Sequence, residues 1–230
     1  MTQLTGHERA AYVQNMFTQI AKRYDLMNRL MTGFQDVRWR RQVIRLARLT
    51  NNASLLDLGT GTGDLAREAV LQFPRAKVTA VDFTLEMMRV GQKTSPLNFS
   101  SADALHLPFN DSIFDAVISG FLMRNVIDLQ KGIDEQFRVL KKGGRIVILD
   151  TTRPKKNVLS PFIWLHMHFI IPVLGRLLTG VGEAYRYLPE TTEGFVTAEE
   201  MASHMASSGF IQIGFKRLMF GTIAIHWGEK

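Results

Sequence analysis

Residues 55–65 read LLDLGTGTGDL and place Gly59, Gly61 and Gly63 between a short apolar run and the start of a helical pattern. Glycine lets the backbone turn tightly and lets a ligand approach it without meeting a Cβ atom. Such a turn is typical of a nucleoside-binding βαβ unit, although glycines can also serve a turn alone. The segment therefore predicts an α/β fold, and its ligand has to be inferred from residues beyond it.

Acidic residues after the next strands favour a nucleoside. Asp82 ends the next predicted strand, 19 residues after Gly63, where a carboxylate can accept hydrogen bonds from both ribose hydroxyls. Asp103 follows the strand-like segment after that, where it can receive an adenine amino group or simply cap a turn. The predicted cofactor-binding residues are Gly59, Gly61, Thr62, Gly63, Asp82, Phe83, Asp103, Ala104 and Gly120.

Two nucleoside cofactors compete for this site. The NAD fingerprint has a third glycine where this chain has Asp64, and Asp57 and Asp64 would repel a pyrophosphate. S-adenosylmethionine has no phosphate and carries a sulfonium and an ammonium group. The acidic residues around the turn therefore favour S-adenosylmethionine.

Strand and helix patterns alternate through the middle of the chain. The predicted strands are 53–58, 77–81, 114–119, 145–150, 211–218 and 222–226. The predicted helices are 64–73, the run capped by Thr84, 129–140 closed by KKGG at 141–144, the apolar run 160–178, and 197–208 with a capping box from Thr197 to Glu200. Repeated βα units imply a parallel sheet covered by helices on both faces, and the last two strands add an antiparallel hairpin.

Composition indicates a cytoplasmic globular protein. The 230 residues contain no cysteine, which excludes disulfides, thiolate metal sites and a cysteine nucleophile. No secretory signal is recognisable, and no apolar run reaches the length of a membrane-spanning helix. His166 and His168 lie two positions apart, which is poor spacing for shared metal ligation on a helix, and we predict no metal site.

Positive charge is concentrated near the N-terminus. The net charge is +7, and residues 1–50 hold nine Lys or Arg against three Asp or Glu. Arginines stand at positions 38, 40, 41, 45 and 48. They can form a solvated helix face, or attract an anionic membrane or a nucleic acid, and charge alone does not separate these readings.

Several stretches resemble the ubiquinone/menaquinone C-methyltransferase family, whose members methylate a ring carbon of a polyprenylated quinol. They are 17–31 (FTQIAKRYDLMNRLM), 56–65, 123–126 (MRNV), 183–189 (EAYRYLP) and 224–228 (AIHWG). The resemblance covers about residues 12–228. It implies a Rossmann-like class I S-adenosylmethionine-dependent methyltransferase fold, with a mostly parallel seven-stranded sheet, a C-terminal antiparallel hairpin and an N-terminal helical cover.

The order of the elements and the needs of the reaction predict a division of the chain and a set of acceptor-site residues, of which Arg124 and Asn125 lie just past the strand 114–119. Residues 1–50 would cover the active site, 51–230 would form the methyltransferase domain, and 155–195 would be a helical and loop insertion that binds the acceptor. The predicted catalytic residues are Arg124, Asn125, Tyr24 and Asp25, and the predicted acceptor-binding residues are Asn28, Tyr185 and Tyr187. Arg124 could stabilise a developing phenolate, or it could pair with a carboxylate and fix its loop.

Some positions depart from the family pattern. Thr60 stands in the turn where the family usually has glycine, Gly120 where it has serine, and Leu122 where it has glycine. Trp227 and Val196 replace a usual arginine and proline. The changes at Gly120 and Leu122 bear on the shape of the acceptor pocket rather than on the reaction class.

The apolar run 160–178 suits an acceptor with a lipid tail. It is interrupted by Pro172 and Arg176, so we expect it to line an apolar channel or to lie on the inner face of a membrane, or else to be a core helix. Naphthoquinol and benzoquinol acceptors both stay open, as does a homodimer.

Other functions compete with quinol methylation. The alternatives are a methyltransferase acting on RNA or another small molecule, and a module that binds S-adenosylmethionine without turnover. The chain lacks the motif of Asn, Asp or Ser followed by two prolines and an aromatic residue that is used on amino nitrogens, and it lacks the cysteine used on pyrimidine carbons. We therefore expect no nucleic-acid partner.

Overall fold

The structure is a computed structural model that describes residues 6–94, 96–154, 158, 160–179 and 182–230, without the side chains at 7, 177–179, 182–186 and 188. The N-terminal part is helical. It consists of α1 (Gly6–Ile20), a 3₁₀ turn (Ala21–Arg23), α2 (Tyr24–Met31) and α3 (Gln35–Leu46).

Alternating strands and helices follow. They are β1 (Ser54–Leu58), α4 (Asp64–Gln72), β2 (Lys77–Asp82), α5 (Leu85–Gln92), β3 (Asn98–Ser101), β4 (Phe114–Gly120), α6 (Leu129–Val139) and β5 (Leu140–Thr151). The last part contains α7 (Ser160–Leu165), a π-helical segment (His166–Ile170), α8 (Ile171–Thr179), α9 (Gly182–Glu193), α10 (Ala198–Ser207), β6 (Ile211–Leu218), a 3₁₀ turn (Met219–Gly221) and β7 (Ile223–Glu229).

The strands form a sheet of order β3-β2-β1-β4-β5-β7-β6. All neighbours are parallel except β7, which runs antiparallel to both β5 and β6. The predicted mostly parallel seven-stranded sheet with a C-terminal antiparallel hairpin is therefore confirmed. Strand order reverses between β1 and β4, and ligands of open α/β sheets bind outside the carboxyl ends of the strands at such a point.

Alternate residues of the central strands enter two separate cores. Leu55 and Ile118 pack on the face covered by α3 and α4, whereas Leu56 and Ile148 pack on the face covered by α6 and α10. Strands buried on both faces explain why they read as continuous apolar runs. A third cluster joins the N-terminal helices to the later ones through Met16, Ile20, Met27, Ile171 and Tyr187.

Some local predictions need correction. The helix predicted over 129–140 ends at Val139, and 141–144 belong to β5 because Leu140 is already extended and pairs with Phe114. The pairing then slips before Ala116 and Arg145, so KKGG forms an irregularity in the strand instead of a helix end. Thr84 stands at the N-cap of α5, but its side chain makes no capping hydrogen bond.

Other local predictions hold or change type. The capping box of Thr197 and Glu200 is confirmed. The apolar run 160–178 is helical, with the π segment inside it. Tyr185 and Tyr187, within the predicted helical and loop insertion, belong to helix α9. Within the described ranges, no helix is both long and apolar enough to cross a bilayer.

Candidate active site

The glycine turn after β1 is a tight left-handed structure. Gly59, Gly61 and Gly63 have φ values of 67°, 58° and 89°, a region that other residues enter with strain. A Cβ at Gly59 would lie 2.8 Å from the Leu122 side chain, so that position also lacks room for one. The three glycines are therefore required by the backbone itself.

Asp57 stabilises the glycine turn from the core of the protein. Its Oδ2 accepts hydrogen bonds from the Thr60 hydroxyl at 2.6 Å and from the Ala66 amide at 3.0 Å. The side chain is fully buried, and burial raises its pKa to about 7 although both hydrogen bonds act in the opposite direction. Asp57 therefore fixes the loop geometry from inside the core.

A cavity of about 220 Å³ opens beside this turn, at the carboxyl ends of β1, β2 and β4. Of the predicted cofactor residues it is lined by Gly59, Gly61, Asp82, Phe83, Asp103, Ala104 and Gly120. Met87, Leu105 and Leu122 add apolar surface. Helix α1 forms another part of the lining, and its Gln14 side chain donates a hydrogen bond to the Phe83 carbonyl at 3.0 Å.

Thr62 and Gly63, which we also predicted to bind the cofactor, do not line this cavity. The Thr62 hydroxyl donates to Asp25 Oδ1 at 2.7 Å, so its side chain is directed towards α2. Gly63 is the N-cap of α4 and turns the chain away from the cavity. Both residues shape the turn, and Thr62 contacts the helical cover.

Asp64 is not the free negative charge that the sequence suggested. Asp64 forms ion pairs with Arg40 and Arg67, and its Oδ2 lies 3.7 Å from Arg29. Arginines of the N-terminal helices and α4 therefore neutralise it, and it contributes no free negative charge against a pyrophosphate. The same network accounts for Arg40, one of the five clustered arginines, which is buried and also pairs with Asp36 at 2.9 Å.

The remaining acidic groups fit S-adenosylmethionine. Asp82 Oδ2 accepts from the Gly61 amide and Oδ1 from the Thr84 amide, both at 2.7 Å, which fixes the carboxylate beside the cavity. Burial raises the pKa of Asp82, opposed by those amide donors. Asp103 Oδ1 accepts from the Leu105 amide at 2.9 Å. Carboxylates facing an apolar slot match a ribose diol and an adenine amino group.

A second cavity, of about 310 Å³, lies under the N-terminal helices and α7–α8. Its lining is mainly apolar and includes Met16, Met27, Met31, Met167 and Met219. Predicted catalytic or acceptor-binding residues that line it are Tyr24, Asn28, Arg124, Asn125 and Tyr187. We refer to it below as the acceptor cavity, and to the first as the cofactor cavity.

The two cavities share a wall. Phe17, Tyr24, Phe121 and Asn125 line both of them. Phe121 has a positive φ of 59°, and its amide donates to the Leu149 carbonyl at 2.7 Å, so its position is fixed by the sheet. A methyl donor in one cavity and an acceptor in the other would therefore meet at these residues.

Arg124 is paired with a carboxylate, the alternative left open by the sequence. Its Nη1 donates to Asp150 Oδ1 at 2.7 Å, and its guanidinium carbon lies 5.2 Å from the centre of the Phe121 ring. The Arg9 side chain donates to the Arg124 carbonyl at 3.0 Å. Arg124 still lines the acceptor cavity, so the pair fixes its position without removing it from the site.

Both polar atoms of the Asn125 side chain form hydrogen bonds. Its Nδ2 donates to the Phe121 carbonyl at 2.9 Å, and its Oδ1 accepts from the Tyr187 hydroxyl at 3.3 Å. Tyr187 is buried and lies against Tyr12 with 5.9 Å between ring centres. The side chain of Tyr185, which we also predicted to bind the acceptor, lies outside the described residues.

Tyr24 and Asp25 have different environments. Burial raises the pKa of Tyr24, while Arg124 and a hydrogen bond with Asn28 act to lower it. Its phenol therefore stays protonated at neutral pH and can donate a hydrogen bond into either cavity. Asp25 lines neither cavity, and its hydrogen bond to Thr62 places it behind the glycine turn.

Three site residues, Phe121, Asp150 and His166, are not among those predicted from the sequence. Phe121 immediately follows Gly120, a predicted site residue, which was a usable signal. Asp150 ends a predicted strand on the same sheet edge as Asp82, and the same argument applies. His166 was considered only as a metal ligand. Among the described residues, no group of three or more His, Asp or Glu could hold a metal ion.

The departures at positions 120 and 122 both affect the cofactor cavity. Leu122 lines it and packs on Gly59. A Cβ at Gly120 would lie 2.9 Å from the Leu65 side chain. Both residues line the cofactor cavity and neither lines the acceptor cavity, so the expectation that these departures bear on the acceptor pocket is wrong.

Comparison with known sequences gives a consistent result. The profile of the ubiE/COQ5 methyltransferase family matches residues 4–230. The chain is 44% identical to the ubiquinone/menaquinone biosynthesis C-methyltransferase UbiE of Desulfotalea psychrophila, over 95% of this chain and 90% of that one. It is 40% identical to the demethylmenaquinone methyltransferase of Thermus thermophilus, over 94% of this chain and 100% of that one.

Solved structures share the fold at much lower identity. An S-adenosylmethionine-dependent methyltransferase from Thermotoga maritima has a TM-score of 0.65 at 18% identity, over 94% of this chain and 99% of that one. The geranyl diphosphate C-methyltransferase from Streptomyces coelicolor, solved with S-adenosyl-L-homocysteine, has a TM-score of 0.63 at 13% identity, over 84% of this chain and 79% of that one. These similarities support the fold described above.

Proposed function

We propose that this chain, which belongs to the ubiE/COQ5 methyltransferase family, transfers a methyl group from S-adenosylmethionine to a ring carbon of a polyprenylated quinol. It is an S-adenosylmethionine-dependent methyltransferase with the class I fold. The observation that carries the choice of acceptor is the pair of cavities with a shared wall, one polar enough for a nucleoside and the other mainly apolar. The names of the relatives point to the same class of acceptor.

Asp82, Asp103 and the glycine turn would hold the cofactor. Bound S-adenosylmethionine supplies an electrophilic methyl group on a sulfonium. The chain's own task is to hold the acceptor carbon in line with that methyl group, and positioning of this kind can lower a barrier by about 7–11 kcal/mol. Phe17 and Phe121, which border both cavities, are the residues that would orient the quinol ring.

The polar residues of the acceptor cavity would act on the quinol oxygen. Arg124 presents a positive charge that Asp150 orients, and it would stabilise the phenolate that develops as the ring becomes nucleophilic. Tyr24, hydrogen-bonded with Asn28, would donate to the same oxygen. Asn125, fixed by Tyr187, would complete the contact. Asp25 would act indirectly, by holding Thr62 and the cofactor turn.

The chain would then divide as its sequence predicts. Residues 1–50 would cover the active site, since α1 and α2 line both cavities, and 51–230 would form the methyltransferase domain. Residues 155–195 would form the acceptor-binding insertion, since Phe162, His166 and Tyr187 line the acceptor cavity. Positions 155–157, 159, 180 and 181 of that insertion lie outside the described residues.

Peripheral contact with a membrane would give a lipid-tailed acceptor a route to the cavity. Phe162 and Phe220 line the acceptor cavity and are also 69% and 68% exposed, so the mouth of the cavity is apolar. Trp164, Phe169 and Val173, on the same helical run but outside the cavity lining, are 53%, 59% and 52% exposed. Exposed aromatic residues on a helix are typical of interfacial membrane contact.

Flotation with anionic vesicles tests the membrane proposal. We expect the wild-type protein to float at low salt and the double variant Trp164→Ser, Phe169→Ser to stay in the dense fraction. Leu71→Ser on α4 is the matched control, because Leu71 is an apolar residue with 75% exposure on another element. Equal flotation of both variants would contradict the assignment of this surface.

A labelling experiment tests the proposed function. The protein is incubated with methyl-labelled S-adenosylmethionine and, in parallel, demethylmenaquinol, the corresponding benzoquinol precursor, or RNA. We expect label on a quinol ring carbon, and the two quinol reactions identify the ring type. Label in RNA alone would overturn the proposal, and cofactor binding without any transfer would indicate a binding module.

A further inference from the structure

Methylation of a quinol carbon releases a proton, and the residues considered above do not supply a group to accept it. Arginine does not deprotonate in proteins, and burial raises the pKa of Tyr24, so neither Arg124 nor Tyr24 is a suitable base at neutral pH. Among the side chains that the structure describes, no Asp, Glu or Lys lines the acceptor cavity. The cavity therefore needs another proton acceptor.

His166 is the histidine that lines this cavity. Its Nε2 lies 3.3 Å from the Met31 carbonyl, which can only accept a hydrogen bond, so Nε2 carries the proton. In the neutral ring the other nitrogen, Nδ1, then has a free lone pair and can act as a base. The contact with α2 therefore selects the tautomer in which Nδ1 is available.

The backbone at His166 is also unusual. His166 is the first residue of the π-helical segment that separates α7 from α8. Single π turns inside α-helices occur often at functional sites, because they redirect side chains that a regular helix would place elsewhere. His166 and Met167 line the acceptor cavity four residues after Phe162 and Ile163, which also line it, while Phe169 and Ile170 are exposed.

Described charged and titratable groups in the acceptor cavity and on α2 and α9 form the following contacts, none of which involves His166. Within the cavity, Arg124 pairs with Asp150, and Tyr187 binds Asn125. On α2, Tyr24 binds Asn28, Asp25 accepts from Thr62, and Arg29 pairs with Asp36. On α9, Glu193 lies 3.4 Å from His168. None of the carboxylates just named lies within ion-pair distance of His166.

We propose that His166 is the general base of the methyl transfer and that it takes the proton of the acceptor's hydroxyl group. This inference rests on the proposed function. As the O–H proton moves to Nδ1, the electron density passes to the ring carbon, which forms the new bond to the methyl carbon. The methyl–sulfur bond breaks and its electron pair stays on sulfur. The C–H proton at the methylated carbon then passes to the ring oxygen as the ring regains its aromaticity, and His166 gives up its proton to solvent, which leaves the methylated quinol, the neutral thioether and one released proton.

His168 provides a matched control two residues away. Its ring stacks on Trp164 with 5.0 Å between ring centres, and it pairs with Glu193. It does not line the acceptor cavity. Replacement of His168 by glutamine therefore makes the same side-chain change in the same helical segment, at a position that does not line the acceptor cavity.

The test compares His166→Gln and His168→Gln with the wild-type protein, using the quinol that the wild-type protein methylates. The Gln side chain keeps a donor for the Met31 carbonyl. We expect His166→Gln to lower kcat by about 10²-fold, the size of a lost general base, and to abolish the fall in activity at acid pH. Binding of S-adenosylhomocysteine, measured by calorimetry, should be unchanged, and His168→Gln should retain wild-type kcat and pH profile.

Chemical rescue separates a base from a structural residue. Added imidazole should restore activity to His166→Ala in a concentration-dependent manner, and it should have no effect on His166→Gln, whose side chain fills the space. A variant that loses activity equally at every pH and is not rescued would overturn the inference. If the wild-type protein itself methylates no quinol, the proposed function fails first, and the two failures are thus distinguishable.

Discussion

The guanidinium of Arg124 and the carboxylate of Asp150 form a buried ion pair, with 2.7 Å between Nη1 and Oδ1. The two side chains are 8% and 2% exposed. Asp150 also accepts from the backbone amides of Arg124 and Thr151, at 3.3 and 2.7 Å. One carboxylate therefore ties the loop after β4 to the end of β5 and holds the cation that faces the acceptor cavity.

Asp150→Asn should destabilise the protein strongly. The substitution removes the counter-charge and leaves the Arg124 guanidinium buried and uncompensated, which typically costs about 3–5 kcal/mol. Urea denaturation gives the change in the free energy of unfolding. Asp111→Asn is the control, because Asp111 is paired with Arg138 but is 74% exposed, and it should cost at most about 1 kcal/mol. Equal effects of the two variants would contradict the assignment of a buried pair.

Asp82→Asn should weaken cofactor binding. In the wild-type protein each carboxylate oxygen accepts an amide hydrogen bond, and an Asn side chain must present an N–H to Gly61 or Thr84 instead. The loss of a charged hydrogen bond is worth about 1.5–3 kcal/mol, so the Kd for S-adenosylhomocysteine should rise by about 10-fold or more. Isothermal titration calorimetry measures this value.

Asp128→Asn is the control for the cofactor experiment. Asp128 caps α6 by accepting from the Lys131 amide at 3.0 Å, and Asn caps helices about as well as Asp. The control should therefore bind with wild-type affinity. A wild-type Kd for Asp82→Asn would show that Asp82 supports the glycine turn without contacting the ligand.

The parts of the fold that could be predicted are those set by local chemistry. Continuous apolar runs such as β1 and β4, the glycine turn, and the capping box at Thr197 each report their own structure. The start of β5 could not be predicted in this way. Lys141–Gly144 has the composition of a helix end, and only pairing with β4 makes it part of a strand. The π segment was not predicted either; its His166 contacts α2 and its His168 contacts α9, both distant in sequence.

The candidate site was less predictable for a related reason. Residue types at strand ends located Asp82, Gly120 and Arg124, because parallel strands end at one edge of the sheet. Which groups neutralise one another depends on contacts distant in sequence. Asp64 lies beside Arg40, and Asp25 beside Thr62, only because the N-terminal helices fold back over the turn. A charge counted as free in the sequence can therefore be paired in the structure.

Asp57 should make the protein less stable as pH rises from about 4 to 7. Burial raises its pKa from 3.8 to about 7, so in this range the folded state keeps a proton that the unfolded chain has lost. The difference in unfolding free energy between wild type and Asp57→Asn should fall by up to about 1.4 kcal/mol per pH unit across this window, and it should be constant above it. Denaturant titrations at several pH values measure it. A difference that is independent of pH would show that Asp57 is ionised in the core.

His226 should change the free energy of unfolding with pH in the opposite direction to Asp57. Its Nε2 donates to the Ala198 carbonyl at 2.9 Å, and burial lowers its pKa from 6.5 to about 4. Below about pH 6.5 the His226 imidazole is protonated in the unfolded chain but stays neutral in the folded protein. His226 therefore lowers the free energy of unfolding as pH falls towards about 4. The difference in unfolding free energy between wild type and His226→Gln should therefore decrease with falling pH in that window. For Asp57→Asn the difference in unfolding free energy should change with pH in the opposite direction, so each variant is a control for the other. Slopes of the same sign would mean that at least one of the two groups is charged in the folded protein.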